Sequence, residues 1–380
     1  MTRRPELDAM RGLMLILMAI THVPTRYSSW LSQPFGFVSA AEGFVFLSAY
    51  MVGAIYTRRA LESSVAEMRS ALWRRAGVVW LCQVAMLLFL FTLIANIGLH
   101  TDRQAIKNLI SFYLAEPIDA LWTGLAMIYN PPLLDILPMY VLYMLASPLA
   151  LTMGLRHTGW LPVIAGSLLL WGLAQFGFTQ DVHRIIVRAI EPKMPFHETG
   201  AFELAAWQYL WIIGMWMGSR RESAPNHRHF PGWVVALSLA FAVTCMVWRH
   251  VIGQAPFGPR GDLNALFSKW YLGPLRLLDF FALLVLVTRF GPYLAARARF
   301  PVLETLGRAS LAVFCAHIVI VLLVLAMVGD RVGITPLWAD TVLLLSTLIG
   351  LYVVALISTR LSREQRGKKA EQAVSARTGG

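Results

Sequence analysis

The chain has 380 residues, of which 57% are hydrophobic and only 14% charged, with a formal net charge of +12. That balance, with a mean hydropathy of +0.60, excludes an ordinary soluble domain, in which about a quarter of residues are charged. The cations are spread through short connections rather than gathered with aromatics in a soluble module, so no nucleic-acid partner is expected.

Continuous apolar runs, such as those over 78–97 and 311–328, are long enough to cross a hydrocarbon core of about 30 Å. A β-barrel would need short alternating strands instead. The sequence predicts an all-α, polytopic integral membrane protein with about ten transmembrane helices. In chain order they fall at 10–26, 35–57, 75–97, 133–153, 160–178, 204–219, 232–251, 270–290, 303–328 and 337–359. The first ten residues lead directly into the first helix, without a small-residue cleavage site. Between the third and fourth helices, Arg103 to Tyr129 is amphipathic and proline-interrupted, and it is expected to lie on the surface or re-enter. Residues 1–360 form a single transmembrane domain in this reading. The basic stretch 361–380 lacks apolar periodicity and is expected to be a disordered tail beside anionic lipid.

Lys and Arg favour the connections on the N-terminal side. Arg58, Arg59, Arg69, Arg74 and Arg75 are among a series that outweighs Arg26, Arg103, Lys107 and Arg184 on the other. With an even number of spans, this bias predicts both termini in the cytoplasm. Cys82, Cys245 and Cys315 all lie in apolar runs with no disulfide or zinc spacing, so no metal site is expected.

Ionisable residues inside spans are functional candidates by default, because burying them is costly. In "RGLMLILMAITH", Arg11 and His22 are eleven residues apart, about 16 Å along a helix. Glu42 lies in the second helix, in "SAAEGFVFLSAY", and Asp135 opens the fourth in "PPLLDILPMY". Lys269, Arg276 and Asp279 flank or enter the eighth, and Arg308 and His317 lie in the ninth. These residues are expected in two layers. His22, Glu42, Asp135, Lys269 and His317 lie outside the midplane, and Arg11 and Arg308, with Arg75 as a further candidate, lie inside it.

A neutral imidazole near carboxylates suits general-base attack by a hydroxyl. His22 is therefore the expected base, with Glu42 or Asp135 fixing its tautomer. Arg11 and Arg308 suit the phosphates of a donor, and Lys269, Arg276 and His317 are further substrate-binding candidates. The plainer readings are a snorkelling Arg11, a structural ion pair at Glu42, a helix cap at Asp135 and an interface anchor at Lys269.

The segment "ELDAMRGLMLILMAITHVP" resembles the first helix of the membrane O-acyltransferases of acyltransferase family 3, marked by Arg, ten residues, then His. "SAAEGFVFLSAYMVG", "DILPMYVLYMLASP", "PLRLLDFFALL" and "LGRASLAVFCAH" resemble, in order, segments of the OpgC branch. The chain departs from that pattern at Ala49, where a glycine is expected, and at Ala309, where a histidine is expected after the arginine. The resemblance implies about ten transmembrane helices in the bacterial inner membrane. It also implies transfer of an acyl group from cytoplasmic acyl-CoA, with succinyl-CoA as one candidate, to hydroxyls of a periplasmic glucan or other glycan. His22 takes the place of the family's essential histidine and Arg11 that of its partner. No permanently bound cofactor is implied; the partners are acyl-CoA, the glycan and membrane lipid. Two other readings of the same charges stand beside it. One is a transporter or flippase for an anionic or sugar-linked solute, against which the absence of an internal repeat counts. The other is a non-catalytic scaffold or sensor.

Overall fold

The computed structural model describes residues 4–156, 159–190, 194–223, 230–258, 261–329 and 336–378. Among them there is no strand. The longer helices are α1 (Pro5–His22), α2 (Ala40–Glu62), α3 (Val65–His100, with a π-helical turn at Leu90–Ile94), α4 (Ile136–Gly154), α5 (Leu161–Gln175) and α6 (Phe178–Ile190). They continue as α7 (Leu204–Ser223), α8 (Gly232–Ile252), α9 (Pro274–Arg297), α10 (Pro301–Arg308), α11 (Ser310–Met327) and α12 (Leu337–Thr378). Three short helices, Gln104–Leu109, Ser111–Ala115 and Pro117–Leu125, occupy the amphipathic segment after α3, and none is long enough to span.

Among the described residues seven helices are long and apolar enough to cross a membrane, and eight if the pair α5 and α6, bent by 81°, makes one crossing. Helices form at each of the ten expected places. The first is α1, whose 18 residues include Glu6, Asp8 and Arg11, and the sixth is α7, which ends in an arginine pair. These charges keep both below the apolarity of an unassisted span. The expected ninth span is divided. Helix α10 ends at Arg308, Ala309 leaves helical geometry with φ −100° and ψ 25°, and α11 begins at Ser310. Arg308 therefore closes a short amphipathic helix and is not inside a span. Helix α12 continues past its apolar part through the basic stretch to Thr378.

The chain forms two compact units. The first contains Met1–Ser32, Ala295–Val324 and Asp330–Gly380. Here α1 and α10 pack backbone to backbone. A Cβ added at Gly12 would overlap the Leu303 carbonyl, and one added at Gly307 would overlap the Asp8 carbonyl. Close approach of this kind, through small residues, is how membrane helices gain packing energy without a hydrophobic drive. Gly307→Ala is expected to destabilise the protein by about 1–3 kcal/mol, the cost of overpacking a close contact. Thermal unfolding of the purified protein checks this, and an unchanged midpoint would show that the two helices can separate at no cost. The same unit pins α12 near the end of α1: the Arg26 backbone N–H and Nε both donate to Asp340 at 3.1 Å, and Tyr27 Oη lies 2.8 Å from Thr341 Oγ1.

The second unit contains Gln33–Leu294 and Leu325–Gly329. Its tightest pair is α2 with α7. Gly214 and Gly218, one turn apart on α7, meet the α2 backbone at Phe46 and Tyr50, and Gly53 of α2 meets the Met215 carbonyl in return. Ala49, where the family pattern expects glycine, sits against Gly214. Helix α4 is tied to α7 by Tyr143 Oη donating to the Leu204 carbonyl at 2.7 Å and Trp211 Nε1 donating to Ser147 Oγ at 2.9 Å.

Candidate functional site

Helix α1 stops at His22 because Val23 turns extended and Pro24 cannot continue the helix. The imidazole is thus presented at a helix end, half-buried. Opposite it, on α11, His317 is buried. His22 Nδ1 and His317 Nε2 are 3.1 Å apart, and the rings stack with centroids at 5.3 Å and planes 20° apart. His317 Nδ1 lies 2.8 Å from the Phe314 carbonyl, one turn back on its own helix.

These two contacts fix the protons. A carbonyl only accepts, so His317 Nδ1 carries a hydrogen and donates it to Phe314. The other nitrogen of neutral His317, Nε2, is then an acceptor, and His22 Nδ1–H donates to it. In neutral His22 the lone pair is left on Nε2. The chain Phe314 carbonyl, His317, His22 selects one tautomer of His22 and one basic atom.

The sequence expected Glu42 or Asp135 to orient His22; the partner seen at Nδ1 is His317. Two turns into α1, the Arg11 guanidinium donates to Ser310 Oγ, so α1 is joined to α11 at Ser310 as well as at His317. Arg308, the other candidate for donor phosphates, is held by two carboxylates: Nη2 donates to Glu304 at 2.7 Å, and Nε lies 3.8 Å from Asp8. Its charge is balanced within the unit.

The remaining candidates lie in the second unit. Glu42 is fully buried near the start of α2. One of its oxygens accepts from the backbone N–H of Ser39 at 3.0 Å and from the Ser39 hydroxyl, closing a capping box, and the other accepts from Arg276 Nε. Asp135 accepts from the Ala201 N–H at 3.1 Å. Lys269, in the connection before α9, places its Nζ 5.0 Å from the centre of the Trp270 ring and 5.6 Å from that of Phe202. Burial pushes the Lys269 ammonium below its ordinary value, Glu42 opposes this, Arg276 adds to it and Asp135 opposes it. Asp279 accepts from the Phe37 N–H at 2.9 Å across Gly36, whose φ of +111° suits glycine and whose missing Cβ leaves room for the carboxylate.

Ser310, Glu304 and Ser39 are not among the candidates that the sequence offers. Glu304 and Arg308, four residues apart on one helix, are a visible ion-pair spacing, and Ser39-x-x-Glu42 is a visible capping box. Ser310 has no such local signature. Among the described residues no group of three or more His, Cys, Asp or Glu is placed to hold a metal.

Fold and site together define a polytopic, all-helical membrane protein with an imidazole pair in one unit and a buried charge network in the other. More particularly, the chain belongs to the OpgC protein family, whose model matches residues 3–363. Neither a curated protein nor a solved structure matches it.

Proposed function

We propose that this OpgC-family protein is a membrane O-acyltransferase. It moves an acyl group, succinyl being one candidate, from cytoplasmic acyl-CoA to hydroxyls of a periplasmic glucan or related glycan in the bacterial inner membrane. The observation that carries the reading is the ordered pair His22–His317, which sets a defined basic nitrogen at the end of a membrane helix.

In this mechanism His22 Nε2 takes the proton of an acceptor hydroxyl as its oxygen attacks the thioester carbonyl. The C–S bond then breaks, and the CoA thiolate recovers the proton from His22 Nε2–H, giving ester and free thiol. His317 is a positioning residue. It accepts from Nδ1–H throughout, and this bond strengthens while His22 is positively charged. Arg11 holds the start of α11 through Ser310 and so sets the spacing of the two rings.

The test is mass spectrometry of periplasmic glycans from cells with and without the gene. Ester-linked mass increments should be present only with it, and the increment identifies the acyl group. Identical glycan spectra, with counterflow of solute across vesicles that contain the protein, would overturn acyl transfer in favour of transport.

A further inference from the structure

We infer that the start of α3 holds a binding site for an anionic phospholipid, with the headgroup in an arginine-lined cleft and the acyl chains along the exposed face below it. The cleft is a shallow, open depression of about 470 Å³ along one face of α3, lined by Ala66, Arg69, Ser70, Trp73 and Arg74. The Arg69 guanidinium stacks 5.3 Å from the centre of the Trp73 ring, which pre-orders it at little entropic cost.

The charge here is uncompensated. Among the described residues neither Arg69 nor Arg74 enters an ion pair. The carboxylates nearest in sequence are Glu67, exposed on the first turn, and Glu62, which accepts from Arg58 at 2.6 Å. Arg75, the next residue along the helix, is a further exposed cation. This contrasts with Arg308, whose charge is met by two acids. An anion of two or more oxygens satisfies such a fork-rich cluster best.

A second observation specifies an amphiphile rather than a soluble anion. Helix α3 has 36 residues, about 54 Å at 1.5 Å per residue, against a hydrocarbon core of about 30 Å. The exposed Arg69, Arg74 and Arg75 near its start place the excess at that end, at headgroup level. Helical spacing puts Arg69, Trp73, Leu81 and Leu88 on one side of α3. Trp73 is 49% exposed, Leu81 60% and Leu88 47%, and a Cβ added at Gly77, between them, would meet nothing within 4 Å. A cationic cleft that continues into an open apolar stripe matches the shape and chemistry of a charged lipid.

The experiment uses the full-length protein in nanodiscs of phosphatidylcholine, titrated with phosphatidylglycerol and read by native mass spectrometry. Arg69→Gln/Arg74→Gln is expected to weaken phosphatidylglycerol retention by about thirtyfold, the combined effect of two membrane-surface cations. Arg69→Lys/Arg74→Lys should keep most of it, because the charge remains. Both positions are exposed, and thermal unfolding in phosphatidylcholine alone confirms that each variant is folded. Equal retention of the two lipids, or retention unaffected by the glutamines, overturns the site. Displacement of the lipid by inorganic pyrophosphate at low millimolar concentration would reassign the cleft to a soluble phosphate ligand and overturn the lipid assignment.

Discussion

Replacing His22 with alanine is expected to lower acyl transfer by about 10²–10⁴-fold, the usual contribution of a positioned general base. The side chain is half-buried and ends α1, so its removal leaves little void in the packing. The proper readout is the initial rate of ester formation by purified protein with a thioester donor, with and without added imidazole. Partial recovery by imidazole belongs to a missing base and not to a misfolded helix. His317→Ala should cost about 10–150-fold, because it removes a hydrogen bond to a group that becomes charged during the reaction, worth about 1.5–3 kcal/mol. His317→Gln keeps a side-chain acceptor for His22 Nδ1–H and should lose less. A wild-type rate in His22→Ala would remove this residue from the chemistry. Equal losses in the two His317 variants would give His317 a packing role instead.

Much of this arrangement was legible in the sequence, and the rest was not for identifiable reasons. Apolar runs located the helices because membrane crossing demands length and continuity. They could not show that the ninth run breaks at Ala309. Gly307–Arg308–Ala309–Ser310 suits an uninterrupted helix, and the break accompanies a close tertiary contact of Gly307 with the Asp8 carbonyl. The spacing of Arg11 and His22 marks α1 as a candidate, yet their partners Ser310 and His317 are 299 and 295 residues away. Such separations carry no local pattern. Glu42 illustrates the opposite case. Its capping box with Ser39, three residues away, is visible in the sequence, but the other half of its environment, Arg276, is 234 residues distant. At Arg308 the i,i+4 carboxylate of Glu304 is visible in the sequence and meets the charge in the fold.

The buried pair of Glu42 and Arg276 carries the largest stability effect expected of one side chain. Arg276 is 1% exposed and Glu42 fully buried. Arg276 Nε bonds the carboxylate, and Nη1 reaches the Phe267 carbonyl at 3.4 Å. The charges of Lys269, Arg249 and Arg276 are set among those of Glu42, Asp135 and Asp279. Truncating Arg276 leaves the carboxylates in excess in a place water does not reach. Arg276→Ala is therefore expected to destabilise the protein by about 3–5 kcal/mol, the cost of stranding one partner of a buried ion pair. Glu42→Gln should cost less, since the amide oxygen can still accept from Ser39. Removing both charges in Glu42→Gln/Arg276→Ala relieves the stranded carboxylate, so the double variant should be more stable than the sum of the single losses predicts. Equilibrium unfolding in mild detergent measures all three. Strict additivity would mean that the pair is not coupled, and that the stability of this unit rests on the glycine-mediated contact of α2 with α7 instead.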